Sequence, residues 1–215
     1  MSDLDLSVYL VTDTRQCGER GVPAVVAAAV EAGVRTVQVR DHEASTAELL
    51  TLVLAVASVL DERTVVLVDD RVDVVLAARL AGAVVHGVHL GQSDLPTVAA
   101  RSLLGANSVI GLTVNTPTQL AHAHALPPGT VDYFGMGVIR PTATKSDHPE
   151  PLGLDGFASL ASGTALPCVA IGGVTAGDVA PLRRAGAAGV AVVSAICAAP
   201  DPGHAAHLLR EEWER

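Results

Sequence analysis

Aromatic residues are nearly missing from this sequence: one Trp, two Tyr and two Phe make up 2% of 215 positions. Proteins that bind nucleic acid stack bases on aromatic rings and meet the phosphates with Lys and Arg. Here rings are scarce and base is outnumbered, 14 Lys and Arg against 23 Asp and Glu, for a net charge of −9. Nucleic acid is therefore not an expected partner. Long apolar runs are lacking too, although the mean hydropathy is high at +0.41. The longest, Leu49–Leu60, contains Thr51 and Ser58 and stops at Asp61. A membrane-spanning helix needs roughly 20 apolar residues, so no membrane partner is expected. The first residues, Met1-Ser2-Asp3-Leu4-Asp5, carry acid where a secretory signal carries base, and the cytoplasm is the expected location. Cys17, Cys168 and Cys197 are odd in number, widely spaced and without a C-x-x-C pair. That speaks against a disulfide framework or a structural zinc site and fits a reducing compartment.

What is present is a well-buried core: 49% hydrophobic and 17% charged residues, read as one domain over residues 1–215. Short β-branched runs alternate with Ala/Leu-rich stretches. The expected strands are Val8–Val11, Arg35–Val39, Thr64–Val68, Val84–Leu90, Ser108–Leu112, Val131–Phe134, Pro167–Ile171 and Gly189–Val193. Each is a continuous apolar run, as a strand covered on both faces requires. Helical segments include Pro23–Ala32, Thr46–Leu60, Val72–Leu80, Thr116–Ala125 and Ala176–Ala185, with Gly33, Gly82 and Gly186 placed as left-handed caps. Eight such units of about 27 residues predict a closed (β/α)8 TIM barrel of near-minimal size. The rival open sheet would carry a Gly-rich dinucleotide turn after its first strand, where this chain has Thr12-Asp13-Thr14-Arg15. A long loop is expected over Gly135–Gly153, and loops of that length in compact chains are commonly functional.

Chemistry in such a barrel belongs at the C-terminal ends of the strands. The second strand ends Gln38-Val39-Arg40-Asp41-His42, and alternation points Gln38 and Arg40 inward together. Arg offers a planar fork of donors to phosphate oxygens; a packed Arg neutralised by carboxylates is the structural alternative. Asp69, Asp70 and Asp94 close strands three and four. Oxygen ligands from neighbouring loops suit a hard cation such as Mg²⁺, completed by water and substrate phosphates. The alternative for Asp70 is an N-cap opening a helix over Arg71–Leu80. Thr142-Ala143-Thr144-Lys145 gathers hydroxyl and ammonium donors into a phosphate clamp. Gly172-Gly173 and Val193-Ser194 match the phosphate site that the last two barrel loops commonly build, although a Gly-Gly pair also serves as a plain turn. His86 and His89, three apart on a strand, face opposite sides. His122 and His124 diverge on a helix, and His204 and His207 belong to the surface of the last helix. All six are expected to be structural.

Taken in order, these segments resemble the thiamine-phosphate synthase family. The likeness runs from Tyr9-Leu10-Val11-Thr12-Asp13 to Val192-Val193-Ser194-Ala195-Ile196 and Asp201-Pro202. Its most specific stretches are Asp70-Arg71-Val72-Asp73, Gly87-Val88-His89-Leu90-Gly91-Gln92-Ser93-Asp94-Leu95-Pro96, Pro141-Thr142-Ala143-Thr144-Lys145 and Ala170-Ile171-Gly172-Gly173-Val174. The resemblance implies a (β/α)8 transferase that joins a hydroxymethylpyrimidine diphosphate to a thiazole phosphate or its carboxylate. Thiamine phosphate and pyrophosphate would be the products. It further implies that Gln38, Arg40, Thr113 and Lys145 bind the pyrimidine diphosphate, with Arg40, Thr113 and Lys145 as the catalytic set. Asp70 and Asp94 would hold Mg²⁺, and Thr142, Thr144, Gly173, Val193 and Ser194 would face the thiazole phosphate.

His42 and Asp69 join the diphosphate side, where the family usually has Lys and Asn. Asn115 stands in place of a usual His, and Val138 and Arg140 in place of a Pro and an aromatic residue. Exchanging a permanent cation at 42 for imidazole, and adding a carboxylate at 69, is expected to weaken diphosphate binding. Arg140 is expected to restore some positive charge. The implied chemistry needs no general base, because pyrophosphate can leave a benzylic-type carbon on an electron-rich aminopyrimidine before the thiazole nitrogen attacks. Charge stabilisation and alignment are what the protein must supply, which accounts for the lack of a Ser/His/Asp or Cys/His set. Two rival readings are a thiazole tautomerase-like isomerase, which wants a His near strand five, and a non-catalytic paralogue binding thiamine intermediates. Small phosphorylated molecules are the expected partners, with a homodimer as the candidate assembly.

Overall fold

Every strand of this chain is buried on both sides, but the two sides meet different surroundings. The computed structural model describes residues 4–142 and 150–215. Its barrel elements are β1 (Val8–Val11), α1 (Val22–Glu31), β2 (Thr36–Val39), α2 (Thr46–Ser58), β3 (Val65–Asp69) and α3 (Val72–Leu80). They continue with β4 (Gly87–Leu90), α4 (Thr97–Leu104), β5 (Val109–Thr113), α5 (Pro117–His124) and β6 (Tyr133–Gly137). The last are α6 (Gly153–Ala161), β7 (Cys168–Ile171), α7 (Ala176–Arg184), β8 (Gly189–Val192) and α8 (Pro202–Glu214). Neighbouring strands pair in parallel in chain order, and β8 pairs back with β1 to close the barrel. The (β/α)8 expectation holds, and each expected strand is present with its ends shifted by at most three residues. The long loop starts later than expected, because 135–137 extend β6.

Side chains pointing outward from the strands, among them Leu10, Val37, Val68, Val88, Ile110, Phe134 and Val190, pack against the helices. Each fully buried one stabilises by about 1.5–3 kcal/mol relative to exposure. Those pointing inward form a separate cluster that includes Tyr9, Leu67, Val109, Tyr133, Val169 and Ala191. Toward the C-terminal strand ends the inward series turns polar: Asp69 follows Leu67, and Thr113 follows Val109 and Gly111. The barrel is thus plugged at one end and lined with polar groups at the other.

Local signals position the elements. Ser45 and Glu48 form a reciprocal capping box that starts α2. Gly33, Gly82 and Gly186 take φ of 103°, 88° and 93° after α1, α3 and α7, as expected of left-handed caps. Asp70 is not an N-cap: Arg71 occupies that position before α3 and makes no side-chain cap bond. Asp70 itself has φ 58°, unusual for a residue with a side chain. His86 accepts the Val66 backbone N–H, while His89 points into the barrel, so the pair does face opposite ways. Among the described residues no helix is long and apolar enough to cross a membrane, and the three cysteines are buried and unpaired.

Candidate active site

The C-terminal strand ends surround a cavity of about 1420 Å³. Gln38, Arg40, His42, Asp69, Asp70, Asp94, Thr113, Thr142, Gly173, Val193 and Ser194 all line it. The structure therefore brings together every described residue expected at the site. Thr144 and Lys145, the rest of the expected clamp, lie outside the described residues.

One side of the mouth is charged. Asp69 is the hub: its Oδ2 lies 2.7 Å from His42 Nε2 and 3.3 Å from Arg40 Nε. His42 Nε2 is also 3.6 Å from Asp70 Oδ2. The two departures at 42 and 69 thus form one imidazole–carboxylate pair. That hydrogen bond to Asp69 raises the His42 pKa. Arg40 leans on a carboxylate, as its structural alternative supposed, yet still faces the cavity.

Asp70 and Asp94 are within hydrogen-bonding reach of one another, and Asp94 Oδ2 accepts the Gly91 N–H at 2.6 Å. Burial first, and then the carboxylates of Asp69 and Asp94, push the Asp70 carboxyl up to about 7. Like charges held this close repel one another, a condition that a bound cation relieves. A positive φ at Asp70 is the kind of backbone strain that gathers at functional positions. Donor atoms of His42, Asp69 and Asp70 also lie within 4.8 Å of one another. This oxygen-rich set fits a hard divalent cation.

The other side is built from small residues. Gly172 and Gly173 have φ of 92° and 68°. A Cβ on Gly172 would stand 2.3 Å from Val138 Cγ1, and one on Gly173 would stand 2.9 Å from Arg140 Cβ. The pair is more than a turn: it lets the β6 loop lie directly on the β7 loop, where Ile139 and Arg140 donate backbone N–H groups to Gly172 O at 3.1 and 3.0 Å. Arg140 does not add charge to the cavity as expected. Its guanidinium donates to Asp178 Oδ1 from Nε at 2.9 Å and from Nη2 at 2.5 Å. Asp178 is buried in the capping box of α7, so it takes up the charge outside the cavity lining.

Among the cavity residues that went unmarked as site residues in the sequence, Tyr9, Tyr133 and His89 form a hydrogen-bonded row. Gln38 Nε2 donates to Tyr9 Oη at 2.7 Å, and Tyr9 Oη lies 2.9 Å from Tyr133 Oη. Tyr133 Oη is 2.9 Å from His89 Nδ1, and His89 Nε2 is 2.9 Å from Thr113 Oγ1. A signal for this row existed in the glycines at inward positions 111 and 135. A Cβ at Gly111 would stand 2.3 Å from Tyr133 Cζ and 2.4 Å from His89 Nδ1; one at Gly135 would stand 2.9 Å from His89 Cε1.

The sequence model of a family described as thiamine monophosphate synthase matches residues 8–196. The chain belongs to the thiamine monophosphate synthase family. A curated thiamine-phosphate synthase from Azorhizobium caulinodans is 46% identical over 207 residues, 96% of this chain and 94% of that protein. One from Psychrobacter sp. is 42% identical over 204 residues, 95% and 93% of the two chains. Among solved structures, a thiamine phosphate pyrophosphorylase from Pyrococcus furiosus superposes with a TM-score of 0.83 at 30% identity, covering 98% of this chain and 96% of its own. The chain is accordingly a transferase of the thiamine-phosphate synthase type, whose members release pyrophosphate.

Proposed function

We propose that this enzyme condenses 4-amino-2-methyl-5-hydroxymethylpyrimidine diphosphate with 4-methyl-5-(2-phosphooxyethyl)thiazole to give thiamine phosphate and pyrophosphate; the thiazole carboxylate would give the same products with loss of CO2 and uptake of a proton at C2. The observation that carries this reading is the shared cavity, with Arg40 and the Asp70–Asp94 pair on one side and the Gly172–Gly173 approach on the other. A diphosphate meets the charged side and a second phosphorylated ring meets the other.

Arg40 and Thr113 donate to diphosphate oxygens in this reading, and Lys145 joins them from the clamp motif. His42, paired to Asp69, stands beside the same group. Asp70 and Asp94 are the residues that would hold Mg²⁺, whose charge stabilises the departing pyrophosphate. The C–O bond breaks with its electron pair leaving on pyrophosphate, and the thiazole nitrogen lone pair then forms the C–N bond, leaving a thiazolium. With the non-carboxylated thiazole no proton transfer is needed, consistent with a cavity histidine, His89, that is hydrogen-bonded through both ring nitrogens. Thr142, Thr144, Gly173, Val193 and Ser194 hold the thiazole phosphate. Three unpaired thiols suit work in the cytoplasm.

Incubation with both substrates and Mg²⁺, followed by mass detection, tests the proposal. Coupled product at the mass of thiamine phosphate is expected. Tight binding of both substrates with no product would instead make the chain a non-catalytic binder. Isomerised thiazole phosphate without the pyrimidine substrate would make it a tautomerase.

A further inference from the structure

Both tyrosines of this chain lie inside the barrel, joined hydroxyl to hydroxyl, and they complete a row that runs Gln38–Tyr9–Tyr133–His89–Thr113. The row links β2 to β5 beneath the cavity, and each of its ends lines that cavity. Tyr9 is 2% and Tyr133 0% exposed. Burial is the largest cause that raises both phenol pKa values, so each hydroxyl keeps its single proton. Gly111 and Gly135 leave space for the Tyr133 and His89 rings, since a Cβ at Gly111 would strike both and one at Gly135 would strike His89. The row is therefore built in, at the cost of two side chains from the barrel interior.

A row of single protons has a direction, and fixing one end fixes the other. A diphosphate offers only acceptors, so Thr113 must donate its hydroxyl proton to it. Thr113 Oγ1 then accepts from His89 Nε2–H, which leaves His89 Nδ1 bare. Tyr133 donates to that nitrogen, Tyr9 donates to Tyr133, and Gln38 Nε2 donates to Tyr9. Gln38 is left presenting its Oε1 to the cavity, an acceptor suited to an amino group and mismatched to a ring oxo group. We infer that Tyr9, Tyr133 and His89 are positioning residues that couple diphosphate binding at Thr113 to the reading of an amino group by Gln38. The inference rests on the proposed assignment of a pyrimidine diphosphate to this cavity, and it deepens that assignment into a basis for selectivity. Without the row the Gln38 amide can turn over, presenting either an acceptor or a donor.

The test is the ratio of kcat/KM for the 4-aminopyrimidine diphosphate over its 4-oxo analogue, measured with thiazole phosphate and Mg²⁺. Tyr133→Phe and Tyr9→Phe are each expected to lower that ratio by about tenfold, the scale of one buried hydrogen bond left unsatisfied. A purely structural role would reduce both substrates alike and leave the ratio unmoved. Should either variant fold poorly, ¹⁵N NMR of the His89 imidazole in wild-type protein with Mg²⁺ and inorganic pyrophosphate reads the direction without mutation. The neutral Nε2–H tautomer is expected. An unmoved ratio in folded variants, or a proton on Nδ1, would overturn the inference. If wild type makes no coupled product from the amino substrate, the proposed function fails, a result distinct from an unchanged ratio in an active enzyme.

Discussion

The two sides of the cavity mouth, both assigned to phosphate in the proposed function, are built from opposite materials. Around β2, β3 and β4 the lining is charged: Arg40, His42, Asp69, Asp70 and Asp94. Around β7 the described backbone approaches closely because Gly172 and Gly173 have no side chains, and the one nearby guanidinium, Arg140, is spent on Asp178. The difference teaches that the charged side answers to pH and cations, whereas the glycine side answers to shape. Substitutions on each should fail in different ways.

The largest expected effect is on the charged side. Asp94→Ala should lower kcat for pyrophosphate release by about 10²–10³-fold or more, the range seen when one group stabilising a departing charge is lost; steady-state kinetics at saturating Mg²⁺ measure it. Retention of near wild-type turnover would erase the contrast. Next, Gly172→Ala should raise KM for the thiazole phosphate about tenfold, because the new methyl strikes Val138 in a left-handed backbone. KM for the pyrimidine diphosphate should stay within about twofold, so a parallel rise in both would merge the two sides into one.

Smaller effects concern protons. The Asp70 carboxyl sits at about 7 in the folded protein against an ordinary 3.8. The unfolded chain gives up this proton first, so cation-free stability should fall as pH rises from about 4 to 7. Asp70→Asn removes that slope and should raise the cation-free Tm at pH 8 by about 2–4 °C, equivalent to ~1 kcal/mol for a chain of this size; calorimetry with chelator checks it. His42 has the same sign in a higher pH window. Its raised pKa contributes stability fully present below about 6.5 and lost as pH climbs through the folded value. The same deprotonation should worsen KM for the pyrimidine diphosphate by less than about fivefold, and His42→Lys should flatten the profile. An unaltered profile in the variant would leave His42 a bystander.

The barrel was legible in the sequence because each strand is a short apolar run ending in turn or polar residues. Those runs concealed an alternation. Leu67 and Val68 are both apolar, yet one points to the barrel interior and the other to the helices. The interior row was lost for that reason: Tyr9 and Tyr133 lay inside expected apolar strands, and His89 was expected to be structural. The charged side was legible because Gln38, Arg40, Asp69, Asp70 and Asp94 stand at strand ends, where backbone direction alone fixes their location. The pairing of His42 with Asp69, and of Arg140 with Asp178 thirty-eight positions on, depends on how loops fold over one another, which no local pattern encodes.

The central claim is that Asp70 and Asp94 together hold a divalent ion against a departing diphosphate. Electron paramagnetic resonance titration with Mn²⁺ in the presence of inorganic pyrophosphate tests it most directly. Wild type should take up a single ion, with binding weakened at least tenfold in both Asp70→Asn and Asp94→Ala. Binding as tight in the two variants as in wild type would contradict the account.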